Sequence, residues 1–102
     1  MRLTEWVLMG ALLSMAQSGF ASAQLAQSKN CMACHAVDQK KVGPSYQDIA
    51  TKYANQKDAE VYLAKKIREG SVGSWGPVPM PANVSVNAKE AQVLVRWILN
   101  SK

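Results

Sequence analysis

The sequence predicts an all-α domain of four short helices and one long loop, and three observations carry that reading. Apolar residues recur at helical spacing, most plainly Ala91, Leu94, Val95 and Ile98 near the C-terminus. No run alternates apolar and polar residues as a half-buried strand would. Gly73, Gly76, Pro77, Pro79 and Pro81 crowd the segment from Ser71 to Ser85, and no helix survives that density of breakers. A chain of 102 residues allows one domain.

The N-terminus is set aside first. Trp6 to Ala16 is an eleven-residue, mostly apolar run, too short for the roughly 20 residues that span a bilayer. Arg2 precedes it and Ala21-Ser22-Ala23 follows it, the layout of a secretory signal peptide cleaved after Ala23, with Glu5 the one residue against a positive n-region. An uncleaved anchor or an ordinary N-terminal helix is the alternative. The expected organisation is a signal peptide over 1–23 and one domain over 24–102.

Four helices are then read in order. Leu25 to His35 is a short helix, ending where Val37 and Asp38 break the pattern. Gln39 to Pro44 is a basic loop closed by Gly43-Pro44. Ser45 opens the second helix, with Asp48 three residues on in a capping-box-like arrangement and Ile49, Ala50, Tyr53 and Ala54 as its apolar stripe. Asp58 opens the third, where Val61, Tyr62, Leu63, Ala64 and Ile67 lead to Gly70, a natural stop. Asn87 with Glu90 caps the fourth.

Composition sharpens the picture. The hydrophobic fraction is 48%, but the signal segment holds the single phenylalanine, Phe20, and three of the five methionines, leaving only Met32 and Met80. So small a domain with so few large apolar side chains builds a marginal core and needs a staple. Charged residues make up 19% of the chain, which argues against disorder. The net charge is +5, yet the lysines are scattered among acids without an aromatic-interleaved stripe, so nucleic-acid binding is not expected. The charge serves solubility, or docking to acidic partners.

Chemistry concentrates in five residues. Cys31-Met32-Ala33-Cys34-His35 is C-x-x-C-H, the attachment signature of c-type haem, and it contains both cysteines and the one histidine of the chain. On a helix the two thiols and the imidazole would share one stripe, the thiols able to add to neighbouring vinyl groups of one porphyrin. A thioredoxin-like redox pair would need a βαβ setting, and zinc would need about four ligands. A structural disulfide would leave the histidine incidental. With no second histidine, Met80 is the candidate for the far side of the iron, a soft thioether presented between Pro79 and Pro81. Its plain alternative is a gap-filling core methionine.

These residues, together with Val42-Gly43-Pro44, Tyr46, the run from Trp75 to Pro81, Asn83 and Trp97, make the chain resemble the short class I monohaem cytochromes c of bacteria, over essentially the whole of 24–102. The resemblance implies four helices wrapped round one covalently attached haem c, with the first and last helices crossing. It also implies that the Pro44 carbonyl accepts from His35, that Trp75 and Lys66 reach a haem propionate, and that Asn83 bonds on the methionine sulfur side. The chain departs from the family pattern at Lys66, where arginine is usual, so a bidentate contact is not expected, and at Ser74 and Ala82, where an apolar residue and a second proline are usual, so a looser ligand loop is expected. Trp97 is read as packing; for Trp75, packing and a bonded indole N–H are both open.

Ligation by His35 and Met80 would leave no open iron position, so the expected function is a periplasmic electron carrier, monomeric and not an enzyme. The family implies a quinol-oxidising complex as donor and a terminal oxidase, nitrite reductase or peroxidase as acceptor, with no stable membrane insertion. A haem protein with a labile sixth ligand, acting as enzyme or gas sensor, is the alternative. A thiol oxidoreductase is a third reading.

Overall fold

The computed structural model describes residues 19–102, so the apolar run from Trp6 to Ala16 lies outside the described residues. Within them the chain is helical over 19–28 (α1), Tyr46–Lys52 (α2), Ala59–Glu69 (α3) and Ala88–Leu99 (α4). Ala21 to Ala23 falls inside α1. No helix of the described residues is long and apolar enough to cross a membrane.

The helix ends follow the local chemistry read from the sequence. The Ser45 hydroxyl accepts from the Asp48 N–H at 3.0 Å and starts α2. Asp58 and Gly70 flank α3. At α4 the capping box is complete, Asn87 and Glu90 each accepting from the other's backbone N–H.

Two expectations are corrected. The helix read over Leu25 to His35 stops early: Asn30 sits in the left-handed region at φ 63°, a conformation asparagine tolerates, and Cys31–Ala33 form a separate 3-10 turn. The segment read as strandless loop contains an antiparallel hairpin, β1 (Ser71–Gly73) and β2 (Gly76–Met80). Ser71 pairs with Met80 and Gly73 with Gly76, so β2 carries the extra residues of a bulge. The cause is proline. From Pro77 to Met80 every residue is a proline or precedes one, which holds that run extended.

The core lies where α4 packs on α2 and α3. Tyr46, Leu94 and Val95 are its largest fully buried side chains, joined by Ile49, Tyr53, Ile67, Ala91 and Ile98 and by Ala26 from α1. Each large aliphatic contributes about 1.5–3 kcal/mol by leaving water. Glu60 of α3 accepts from Arg96 at 2.9 Å and from Gln92 at 3.1 Å, tying α3 to α4 at the surface. Lys29, just past α1, bonds the Ser85 carbonyl at 2.9 Å and lies 3.5 Å from the Glu90 carboxylate, fixing the chain just before Cys31 against the start of α4.

Candidate haem-attachment site

An open cleft of ≈ 780 Å³, its mouth included, runs between the 3-10 turn, α2, α3, α4 and the hairpin. Ile49, Leu63, Ile67, Leu94, Val95 and Ile98 give it apolar walls. Cys31, His35, Pro44, Lys66, Trp75, Met80 and Asn83 all line it. Cys34 lines a second cavity beside it, and His35, Met80 and Asn83 belong to both. Every residue read from the sequence as a site residue therefore stands on one of two adjoining cavities.

His35 is held on three sides. The Pro44 carbonyl lies 2.7 Å from its Nδ1, which makes Nδ1 the protonated nitrogen and leaves Nε2 with its lone pair. The Tyr46 ring stacks on it at 5.5 Å between centroids, with 22° between the planes. Gly43 closes the remaining side, where a Cβ would lie 2.5 Å from Cε1. Tyr46 is itself pinned by Trp97, edge-on at 5.2 Å, and its hydroxyl donates to the Met32 sulfur at 3.5 Å. Burial, with the Cys31 thiol nearby, drives the Tyr46 phenol far above its ordinary range, so it stays a neutral donor. Trp97 packs, as its place on the last helix suggested.

The two cysteines are free of any disulfide. Burial pushes the Cys31 thiol up, the opposite of the lowered value that a catalytic thiolate needs. Among the described residues no group of three or more His, Cys, Asp or Glu side chains could hold a metal ion by itself. The arrangement suits a flat apolar macrocycle: an apolar slot with the Cys31 thiol on its lining, Cys34 on the adjoining cavity, and an imidazole shared by both with one nitrogen committed to the backbone.

On the hairpin side, Gly70 backs the methionine segment. A Cβ there would lie 2.8 Å from the Met80 carbonyl oxygen, and its φ of 87° suits glycine. Asn83 is tied to α3 twice, by its backbone N–H and its side-chain amide, both to the Ile67 carbonyl, at 3.0 and 2.9 Å. Trp75 is not a buried residue; it is 42% exposed at the cleft mouth and carries the Lys52 ammonium 4.3 Å from its ring centroid. Lys66 Nζ lies 5.2 Å from the Tyr62 ring centroid. Tyr46, Gly43, Gly70 and Lys52 complete the site without having been assigned to it from sequence. Gly43 and Tyr46 stand among the residues of the family resemblance and close to Pro44, whereas no sequence signal marks Gly70 or Lys52 for the site.

Comparison with known proteins now decides the family. A family model, Cytochrome c, matches residues 21–102. The chain belongs to the cytochrome c family. It is 48% identical over 101 residues to cytochrome c-552 of Nitrosomonas europaea, covering 97% of this chain and 98% of that one. Against cytochrome c-551 of Pseudomonas aeruginosa the identity is 48% over 101 residues, with 90% and 96% covered. The crystal structure of wild-type Nitrosomonas europaea cytochrome c552 matches with a TM-score of 0.77 at 54% identity, covering 78% of this chain and 99% of that chain. This cytochrome is a class I monohaem protein of the bacterial type, four helices with a small hairpin. Its cofactor is one haem c bound covalently through Cys31 and Cys34, and its chemistry is electron transfer.

Proposed function

We propose that this cytochrome is exported, cleaved after Ala23, and shuttles single electrons through the periplasm with its iron held by His35 and Met80. The observation that carries the reading is that His35 and Met80 line the same two adjoining cavities while His35 has its Nδ1 committed to Pro44. The haem supplies a reversible one-electron change at its iron. The chain's own residues set the conditions. His35 offers Nε2, its ring oriented by the Pro44 carbonyl on the opposite nitrogen. Met80 offers a soft sulfur, which raises the reduction potential. Apolar walls from Ile49, Leu94 and Val95 exclude water and favour the less charged reduced form.

With His35 and Met80 both bound to the haem iron, no place would be left for a substrate, so the role is carriage rather than catalysis. Trp75 and Lys66 are assigned to a propionate, and Asn83 keeps an amide N–H beyond the one given to Ile67 for the methionine side. The scattered lysines steer a monomer toward acidic faces of a quinol-oxidising donor and of an oxidase, nitrite reductase or peroxidase acceptor. The test uses the purified holoprotein. The ferric form should show the near-infrared sulfur-to-iron charge-transfer band, and Met80→Ala should abolish it and lower the potential. A wild-type protein that lacks the band and readily binds carbon monoxide when reduced would overturn the reading in favour of a labile sixth ligand.

A further inference from the structure

We propose that Lys52 is a cationic latch: it holds the β1–β2 turn over the cleft and its charge raises the reduction potential. Lys52 is the last residue of α2, and its ammonium makes three contacts at once. It donates to the Ser74 carbonyl at 3.0 Å, sits 4.3 Å from the Trp75 ring centroid, and lies 5.6 Å from that of Tyr53. Both ring distances fall within the roughly 6 Å over which an aromatic face attracts a cation.

The turn needs such a tether. Gly73 and Gly76, at φ 85° and 116°, flank Ser74 and Trp75 and leave the backbone soft. Burial does not hold it, since Trp75 is 42% exposed and Val72 and Val78 more so. The base of the hairpin is fixed by Gly70 against Met80 and by Asn83 on Ile67. At the far end, among the hydrogen bonds of the described residues, only that of Lys52 ties the turn to another element.

The charge has its own consequence. Neither ion pair among the described residues involves Lys52, so its charge is not cancelled by a carboxylate. Ser74 and Trp75 line the cleft, so this positive charge stands at the rim of the cofactor site. A fixed cation there disfavours the more positive oxidised state. This second half rests on the electron-carrier reading, whereas the tether rests on geometry alone.

The experiment compares holoprotein carrying Lys52→Met, Lys52→Arg or Lys57→Gln, the last an exposed lysine without a contact to the turn. Two quantities are read: hydrogen exchange at the Ser74, Trp75 and Gly76 amides, and the reduced-to-oxidised ratio at a fixed applied potential. Lys52→Met should speed exchange at these amides about tenfold, leave α4 amides unchanged, and lower the ratio about threefold, about 30 mV at 59 mV per tenfold. Lys52→Arg should preserve both, and Lys57→Gln should change neither. Unchanged exchange or an unchanged ratio in Lys52→Met overturns the proposal, as does an equal fall in Lys57→Gln. The sulfur-to-iron band, read on the same samples, reports separately whether Met80 is a ligand.

Discussion

Nδ1 of His35 lies 2.7 Å from the Pro44 carbonyl oxygen, and the residue before that proline, Gly43, packs directly on the same ring. One stretch of backbone thus both orients the imidazole and limits its room. A methyl group at 43 would stand 2.5 Å from Cε1 and 2.9 Å from Nδ1, so the ring or the backbone must shift. Gly43→Ala is expected to cost the holoprotein about 1–3 kcal/mol, as overpacking does, and to weaken the Pro44 bond. Urea denaturation followed at the haem absorbance checks this. A midpoint equal to that of the parent would mean that the contact is slack.

The methionine segment is braced from the other side. Gly70, at φ 87° and ψ 173°, occupies a region reserved for glycine, and a side chain there would also meet the Met80 carbonyl at 2.8 Å. Gly70→Ala should cost about 1–3 kcal/mol and weaken the sulfur-to-iron band of the ferric protein. A variant with full stability and an unaltered band would show that the brace is dispensable.

Asn83 supplies a second restraint on that segment. Asn83→Ala removes the amide bond to Ile67 but leaves the backbone one, so a loss of about 1 kcal/mol is expected. Hydrogen exchange should rise from Met80 to Ser85 while α4 stays protected. Exchange rising equally across the whole chain would point to global rather than local loosening.

How much of this was legible in the sequence depended on whether a feature is local. The caps at Ser45, Asn87 and Gly70 and the attachment motif are written in a few adjacent residues, and each was readable. Proline was read as a helix breaker and as a stiff frame for Met80, not as a strand former; its effect of extending its predecessor places Val78 and Met80 in a strand. The turn at Asn30 escaped because apolar spacing carries no information on a single left-handed residue. Lys52 on Trp75, Tyr46 on His35 and Gly70 on Met80 are contacts between distant or differently folded segments. No periodicity encodes them.

The capping box predicts an acid-side loss of stability. Glu90 is held below the usual carboxylate value, first by the Asn87 backbone N–H it accepts from and then by Lys29. A depressed folded value contributes stability above the unfolded pKa of about 4.3, lost as pH falls through the folded one. Glu90→Gln should therefore flatten the decline in unfolding free energy between about pH 5 and about pH 3. Asn87→Ala should cost about 1 kcal/mol at neutral pH. Parallel acid profiles for parent and Glu90→Gln would refute the linkage.

The alkaline side turns on Tyr53. Its phenol is pushed up, chiefly by burial and then by the neighbouring Tyr62, whose ring lies 5.7 Å away. A folded value above the unfolded one, about 10, gives stability that is fully present below pH 10 and lost as pH rises through the folded value. The unfolded chain releases this proton first, so rising pH pulls the equilibrium toward it. Tyr53→Phe deletes that proton while keeping the ring in the core. The variant should decline less steeply than the parent above about pH 10. Denaturation at a series of alkaline pH values isolates this effect, because lysine titration is common to both proteins and cancels in the difference. Curves that stay parallel from neutrality to about pH 11 would assign the alkaline loss to groups other than Tyr53.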